Sequence, residues 1–143
     1  MYYMAKLIRE GRHWLVDFPD CPGCQTFGNS KTEALEMAAD ALAAWLASTL
    51  KHGGLPPVPK SRGGRAMVPV PVPARLAAVM TIRLRRGQLG LSQRQLANRL
   101  GVTQQQVAKL EDPDTNSSLA SIERAMRALG IRLEFVPEAN ART

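Results

Sequence analysis

The stretch Gln93–Glu111, QRQLANRLGVTQQQVAKLE, predicts two short helices that share one apolar core. Apolar residues recur at helical spacing on both sides of Gly101, and glycine permits the left-handed backbone of a tight turn. Ala97 is small where the two helices would cross closely. The residues predicted to form the shared core are Leu96, Leu100, Val102, Val107 and Leu110. This spacing predicts a helix-turn-helix, a structure that binds the major groove of duplex DNA.

Hydroxyl side chains mark where these helices begin. Ser92 precedes a predicted helix Gln93–Leu100, and Thr103 precedes a second one, Gln104–Glu111. Ser and Thr cap helices because the side-chain oxygen accepts a bond from an otherwise unpaired backbone N–H. The second helix of such a pair is the one that reads DNA.

The predicted recognition helix carries side chains suited to base edges. Glutamine bonds bidentately to adenine, and lysine reaches guanine or phosphate. Gln93 is placed to contact a phosphate at the start of the preceding helix. The predicted DNA-binding residues are Gln93, Arg94, Thr103, Gln104, Gln105, Gln106 and Lys109. Arginines around this unit are also expected to bind the phosphate backbone, namely Arg83, Arg85, Arg86, Arg94 and Arg99.

Further elements flank this unit on both sides. A helix is predicted from Ala74 to a Gly-rich end at Gly87–Gly90, and another from Ser118 to Leu129. Ile131–Val136 alternates apolar and charged residues, which predicts one final strand. An unpaired apolar strand exposes N–H and C=O groups that can pair with another chain, so we expect this strand to be a dimer contact.

The charge distribution favours a polyanionic partner. The net charge is +7, and residues 41–110 contain eleven Lys or Arg and no Asp or Glu. Such a stretch suits a nucleic-acid surface, although a solvated basic face would look the same without the helix-turn-helix. No apolar run is long enough to cross a bilayer, and the N-terminus lacks a signal-peptide pattern. We therefore expect a soluble, cytoplasmic protein with no membrane partner.

The N-terminal part reads as a small sheet and a helix. Tyr3–Leu7 and Trp14–Phe18 alternate around a turn at Gly11 and predict a hairpin, and Gln25–Phe27 a third strand. Ser30 and Glu33 have capping-box spacing before a helix that ends near His52–Gly54. The stripe predicted to lie on the sheet is Leu35, Ala38, Leu42, Trp45 or Leu46, and Thr49.

A proline-rich stretch joins the two parts. Prolines at alternate positions are compatible with an edge strand whose proline nitrogens face outward, so Arg65–Val70 is expected to return to the sheet. The rest is expected to be an extended linker. The sequence thus predicts an α+β fold with an N-terminal β-β-β-α-β domain, 1–72, and an all-α helix-turn-helix domain, 74–136.

Few residues favour catalysis. The carboxylates available to a two-metal nuclease are Asp17, Asp20, Glu33, Glu36 and Asp40, but the first strand has none. Cys21 and Cys24 form a C-x-x-C that lies in a loop rather than at a helix start, which favours a structural turn over a redox centre or zinc site. His13 and His52 receive no role. The sequence predicts no catalytic residue, metal site or cofactor.

Two family resemblances add to this interpretation. Residues 76–129 resemble the Xre/Cro-type helix-turn-helix family, which implies dimerisation and a palindromic operator. This sequence departs from the family pattern after the predicted recognition helix, where it has the acidic run Asp112-Pro113-Asp114. These carboxylates would repel phosphate, so how closely Asn116 and Ser117 approach DNA stays open.

The run FPDCPGCQTFG at Phe18–Gly28, followed by the helix at Glu33-Ala34-Leu35, resembles the HicB antitoxin family across residues 1–50. That resemblance implies a reduced ribonuclease-H-like sheet and a partner, the mRNA-cleaving toxin HicA. It also implies repression of the operon that encodes both proteins.

The function expected from the sequence is therefore that of an antitoxin and autoregulatory repressor, a homo-dimer or tetramer and not an enzyme. One alternative is a stand-alone transcription regulator whose N-terminal domain senses a ligand. The other is an enzyme, either a nuclease or a thiol oxidoreductase. The sequence places the toxin contacts within the N-terminal domain and identifies no individual contact residue.

Overall fold

The computed structural model describes residues 1–138, and within them the chain forms an N-terminal sheet and a set of helices. The strands are β1 (Tyr2–Glu10), β2 (His13–Asp17), β3 (Gln25–Gly28) and β4 (Met67–Pro71). The helices are α1 (Lys31–Lys51), α2 (Ala74–Gln88), α3 (Gln93–Leu100), α4 (Gln104–Leu110) and α5 (Leu119–Ala128). The predicted α+β class is confirmed.

The sheet is antiparallel with strand order β3-β2-β1-β4. β1 and β2 form the predicted hairpin, whose turn contains Gly11 at a φ of 59°. β3 is the predicted third strand, and it pairs with β2 so that Phe27 lies opposite Leu15. One face of the sheet is covered by α1.

β4 confirms the predicted proline-bearing edge strand. Val70 lies opposite Tyr3, and the N–H of Val72 donates to the Met1 carbonyl at 3.0 Å. Because bonding groups alternate along a strand, this register turns the nitrogens of Pro69 and Pro71 outward. Proline has no N–H to offer, so this edge is protected against pairing with another strand.

α1 packs on the sheet along a line different from the predicted one. The residues it buries are Ala34, Ala38, Leu42, Leu46 and Leu50. The prediction was wrong to place Leu35 and Thr49 on that line, although Leu35 and Trp45 pack at its border. The buried residues are small near the start of α1 and large near its end, so the helix approaches the sheet most closely at its first turn.

The close approach of α1 to the sheet depends on Gly28. A Cβ placed on Gly28 would lie 2.4 Å from the backbone nitrogen of Ala34. The Ser30 hydroxyl caps the same turn by accepting the N–H of Glu33 at 3.1 Å. The Glu33 carboxylate accepts the N–H of Asn29 at 2.8 Å instead of that of Ser30, so the predicted reciprocal box is shifted by one residue.

The proline-rich stretch before β4 is held against the sheet rather than extended away from it. The Asp20 carboxylate accepts the backbone N–H groups of Lys60 at 2.9 Å and Ser61 at 2.8 Å, and also the Ser61 hydroxyl. The Tyr3 hydroxyl donates to the Pro57 carbonyl. The expectation of an extended linker was wrong for this segment, because long-range hydrogen bonds attach it to the sheet.

α2 contributes to both apolar cores. Leu76, Val79 and Met80 belong to the core between the sheet and α1, whereas Ile82 belongs to the core of α3, α4 and α5. A single helix therefore connects the two halves without an intervening loop.

The last predicted element does not form. Beyond β4, the described residues contain no strand, and Ile131–Val136 follows α5 as irregular chain. The prediction of a strand was wrong for the single chain because no other strand lies beside this segment to pair with it. Among the described helices, none combines the length and the hydropathy of a membrane-spanning segment.

Candidate nucleic-acid interface

α3 and α4 form a helix-turn-helix whose ends are fixed by local hydrogen bonds. Ser92 and Gln95 form a capping box at the start of α3, and Thr103 and Gln106 form another at the start of α4. Between them Gly101 has the left-handed conformation, with a φ of 67°. The S-x-x-Q spacing at Ser92 and the T-x-x-Q spacing at Thr103 are the sequence signals for these boxes.

The two helices share an apolar core. Leu96 and Val107 are completely buried, and Ala97 is 2% exposed where the helices cross. Leu100 and Val102 pack at the border of this core. The predicted core residues are thus where the spacing placed them, which orients the remaining face of α4 outward.

Three predicted contact residues present unengaged side chains. Gln104, Gln105 and Lys109 are exposed, and none of their side chains is hydrogen-bonded to another described residue. Gln105 and Lys109 lie one turn apart on the same face of α4. Arg94 is exposed at the start of α3. These four side chains have the position and chemistry for contacts with bases and phosphates.

The other three predicted residues have structural contacts. The Thr103 hydroxyl accepts the N–H of Gln106 at 3.2 Å, and the Gln106 side-chain oxygen accepts the N–H of Thr103 at 2.9 Å. The amide nitrogen of Gln106 remains available as a donor. Gln93 is half-buried and lines a polar groove of about 260 Å³ together with Lys51 and Asp114.

Arg83, Arg85 and Arg86 of α2 are half-buried and bonded to protein groups, which contradicts the expectation that they bind the phosphate backbone. Arg83 donates to the carbonyls of Leu50, Gly54 and Glu111 at 2.9, 3.1 and 2.6 Å. Arg85 donates to the Leu129 carbonyl at 3.1 Å. These guanidinium groups satisfy helix-end carbonyls, a role that depends on tertiary contacts and has no local sequence signature.

A buried ion pair fixes the end of α4. Glu111 is 2% exposed, and its two carboxylate oxygens accept from Nε and Nη2 of Arg86 at 2.7 and 2.8 Å. The hydrogen bond to Glu111 raises the pKa of Arg86 above its ordinary value, against the opposing effect of burial. Arg83 lies 3.8 Å from the same carboxylate. α4 is therefore attached to α2 at its C-terminus.

The acidic run after α4 does not point toward the exposed face of that helix. Asp114 pairs with Lys51 at the end of α1, 2.8 Å away, and this hydrogen bond lowers the pKa of Asp114. The Asp112 carboxylate accepts the N–H of Asp114 and the Thr115 hydroxyl. Both carboxylates are thus occupied by protein groups.

A groove of about 330 Å³ with both polar and apolar walls lies between α4 and α5, next to the exposed side chains of α4. Its wall includes Gln106, Lys109, Asn116, Ser117 and Arg124. Arg124 donates to the Leu100 carbonyl at 3.1 Å and is exposed. Arg124 was not among the predicted contact residues, because it lies on a different helix and only the fold brings it beside Lys109.

The candidate catalytic carboxylates of the N-terminal half do not converge. The backbone N–H groups of Ser61 and Lys60 lower the pKa of Asp20, although burial alone would raise it. Asp17 accepts from Gln25 at 3.1 Å, and Glu33 is part of the start of α1. Within residues 1–138, no group of three or more His, Cys, Asp or Glu side chains is arranged to hold a metal ion.

The C-x-x-C forms a tight, closed turn. Cys21 donates its N–H to the Phe18 carbonyl, and Cys24 donates to the Cys21 carbonyl, both at 2.9 Å. Both thiols are free and buried. Burial raises the pKa of Cys21 to about 12 and that of Cys24 to about 11, so neither is a reactive thiolate near neutral pH.

Comparisons with known proteins match both halves. Residues 3–67 match a family described as HicB-like antitoxin of bacterial toxin-antitoxin system, and residues 82–136 match a helix-turn-helix family. Antitoxin HicB 2 of Photorhabdus laumondii subsp. laumondii is 32% identical over 136 residues, which cover 95% of this chain and 96% of the relative.

Two further relatives carry the same name. Antitoxin HicB of Pseudomonas fluorescens is 30% identical over 141 residues, which cover 97% of this chain and 96% of the relative. Antitoxin HicB of Escherichia coli K12 is 27% identical over 123 residues, covering 86% and 88%. Both resemblances drawn from the sequence are confirmed.

Proposed function

Because the chain belongs to the HicB-like antitoxin family, we propose that it neutralises a HicA-like mRNA-cleaving toxin by direct binding and represses its own operon by binding operator DNA. The observation that carries this proposal is the end-to-end similarity to named antitoxins, which includes the helix-turn-helix. The protein acts in the cytoplasm as a binding protein without a cofactor, and not as an enzyme.

The toxin is assigned to the N-terminal domain, residues 1–72. On the sheet face away from α1, Ile8, Leu15 and Phe27 lie side by side on adjacent strands. Phe27 is 59% exposed and Ile8 is 43% exposed. An apolar row of this kind on a polar surface is typical of a protein-binding site. Occupation of the toxin's RNA-binding surface by this face would block cleavage without any chemistry in the antitoxin.

Co-purification with the protein encoded by the adjacent gene tests the toxin assignment. We expect that protein to stop growth when expressed alone and to form a stable complex with the tagged full chain. Phe27→Asp should lower the affinity of the complex at least about tenfold, because a charge would be buried in an apolar contact. Met37→Asp is the matched control, since Met37 is 44% exposed on α1 and away from the row.

Three outcomes contradict parts of this assignment. A neighbour that neither binds nor harms cells removes the antitoxin function and leaves a stand-alone regulator. A complex that loses affinity with Met37→Asp and not with Phe27→Asp moves the contact to α1. A folded Phe27→Asp variant with unchanged affinity also excludes the sheet row.

Operator binding is assigned to the helix-turn-helix domain, residues 74–136. α4 would lie in the major groove with Gln104, Gln105 and Lys109 toward base edges, and Arg94 toward a phosphate. The side-chain amide of Gln106 would donate to DNA from the same helix. Thr103 and Gln93, at the starts of α4 and α3, would contact the phosphate backbone at the edge of the groove. Two copies of the chain would read two half-sites about one helical turn apart.

Alanine substitution of the recognition helix separates base contacts from phosphate contacts. Gln104→Ala or Gln105→Ala should cost about 1–3 kcal/mol of binding free energy on the operator and nothing on a scrambled duplex. Arg94→Ala should weaken both duplexes and lower the salt-dependence slope by about 1. Fluorescence anisotropy at several salt concentrations measures both effects.

Gln88→Ala provides the control because Gln88 is exposed at the end of α2 and outside the proposed contact face. Equal affinities of wild type, Gln104→Ala and Gln105→Ala for the operator would show that α4 does not read bases.

A further inference from the structure

A groove between the two halves of the chain adjoins the helix-turn-helix at the start of α3. It is the groove of about 260 Å³ beside Gln93, and its wall also includes Leu50 and Lys51 of α1 and Ala108 of α4. Residues 112–114 line it as well. The end of the N-terminal domain's helix therefore lies next to both helices of the helix-turn-helix.

The groove begins beside the proposed contact face of α4. Ala108 follows Gln104 by four residues, so the two lie about one turn apart on the same side of the helix. Gln93 and Arg94 are in the first turn of α3, where the proposed function has phosphate contacts. A duplex that brings its bases to Gln104 and its phosphates to Arg94 would therefore pass the mouth of this groove.

The end of α1 is held in this place by an arginine that is largely buried. Arg83, whose side chain is 19% exposed, donates to the Leu50 carbonyl at 2.9 Å and to the Glu111 carbonyl at 2.6 Å. A single guanidinium thus joins the last turn of α1 to the residue that ends α4. Lys51 follows Leu50 directly, so the fold sets the position of its backbone relative to α4.

The Lys51 ammonium has donors that remain available. Its Nζ lies 2.8 Å from an oxygen of the Asp114 carboxylate, and the Lys51 side chain is 65% exposed. An ammonium carries three N–H donors, and this ion pair uses one of them. The hydrogen bond to Asp114 also raises the pKa of Lys51, so the group is charged at neutral pH. Two donors therefore remain for a phosphate oxygen.

Asp114 is the carboxylate in this segment whose charge most needs a cation near DNA. Glu111 is only 2% exposed, and the Asp112 carboxylate accepts two hydrogen bonds from its own loop. Asp114 is 60% exposed, and its partner Lys51 comes from the other domain. Without that partner, its negative charge would repel a phosphate at the groove.

We propose that Lys51 binds a backbone phosphate of the operator duplex at the mouth of this groove while it stays paired with Asp114. The N-terminal domain is then part of the DNA-contacting surface, and the same ammonium shields the phosphate from the Asp114 carboxylate. This inference rests on the proposed function, since it takes α4 as the helix in the major groove. It adds to that function a phosphate contact from outside the helix-turn-helix domain.

Salt-dependent DNA binding of the full chain tests the contact. In fluorescence anisotropy, Lys51→Ala should lower the affinity for operator and scrambled duplex alike, about five- to tenfold at about 0.1 M salt, and should lower the salt-dependence slope by about 1. Lys51→Arg keeps the charge and should keep the slope. Because Lys51 is exposed, neither variant should change the thermal stability appreciably. An unchanged slope with Lys51→Ala would overturn the proposal.

The Asp114→Ala background separates a phosphate contact from charge compensation. Asp114→Ala alone should raise the affinity for both duplexes, because it removes a negative charge and leaves Lys51 in place. Removal of Lys51 as well should again lower the slope by about 1. If the double variant keeps the slope and affinity of Asp114→Ala, Lys51 only compensates Asp114, and the phosphate contact is refuted.

Lys31→Ala is the matched control. Lys31 is exposed at the other end of the same helix, about 30 Å away, and its removal changes the net charge equally. If Lys31→Ala weakens DNA binding as much as Lys51→Ala, the effect belongs to net charge and the proposal fails. Wild-type protein that binds the operator no better than Lys51→Ala overturns this inference alone. Wild-type protein that binds no duplex removes the proposed operator function and this inference with it.

Discussion

Glu111→Ala is expected to lower the free energy of unfolding by about 3–5 kcal/mol, because removing one partner leaves the other charge buried and unpaired. Arg86 keeps only 19% of its side chain exposed, and it donates two hydrogen bonds to the carboxylate at 2.7 and 2.8 Å. The carboxylate also terminates α4, so its loss should reduce DNA affinity in addition to stability. Urea denaturation followed by circular dichroism measures the loss.

Two further variants serve as comparisons for this prediction. Glu111→Gln keeps the volume and one acceptor, and should lose less stability than the alanine variant. Asp114→Ala removes an ion pair in the same segment, but Lys51 and Asp114 have side chains 65% and 60% exposed. Water solvates both partners of that pair, so its loss should leave stability nearly unchanged. Similar losses for Glu111→Ala and Asp114→Ala would mean that burial does not set the strength of these pairs.

Gly28→Val is expected to cost about 3 kcal/mol or more, and Gly28→Ala about 1–3 kcal/mol, as for other overpacked sites. A Cβ at Gly28 would lie 2.4 Å from the nitrogen and 2.7 Å from the Cα of Ala34. Both atoms are backbone, so no side chain can rotate away and the whole first turn of α1 must move. Chemical denaturation of the full chain measures this loss.

Gly87→Ala is the matched control because it makes the same substitution with no atom within 4 Å. Gly87 lies in α2, where alanine is favoured over glycine by about 0.5–1 kcal/mol. The two glycine variants should therefore change stability in opposite directions. A stabilising Gly28→Ala would show that α1 does not rest on β3 at this point.

Elements with local signals were predicted closely. The start of α3 after Ser92 and of α4 after Thr103 follows from side chains that bond their own helix three residues on. The turn at Gly101 likewise needs only the conformational freedom of one residue. Such interactions are contained in short sequence windows, so their residue bounds can be read directly.

Features that depend on tertiary contacts were not predicted. Arg83 and Arg86 carry the same charge as Arg94, and only the fold decides that the first two bond carbonyls and Glu111 while the third reaches solvent. The buried line of α1 begins at Ala34 and not at Leu35. Because Gly28 has no side chain, the first turn of α1 can pack directly on its backbone, and only a small residue fits there. Hydrophobicity alone favours leucine and misses the small residue at a close approach.

The sharing of α2 between two cores limits how such proteins exchange parts during evolution. Leu76 and Met80 match the surface of the sheet and α1, and Ile82 matches the core of the helix-turn-helix, all on one continuous helix. A crossover between related genes at any point in α2 gives one core a helix face that evolved against a different neighbour. Under the proposed function, new operator specificity should therefore arise by point substitution on the exposed side of α4, and recombination of whole halves should be rare.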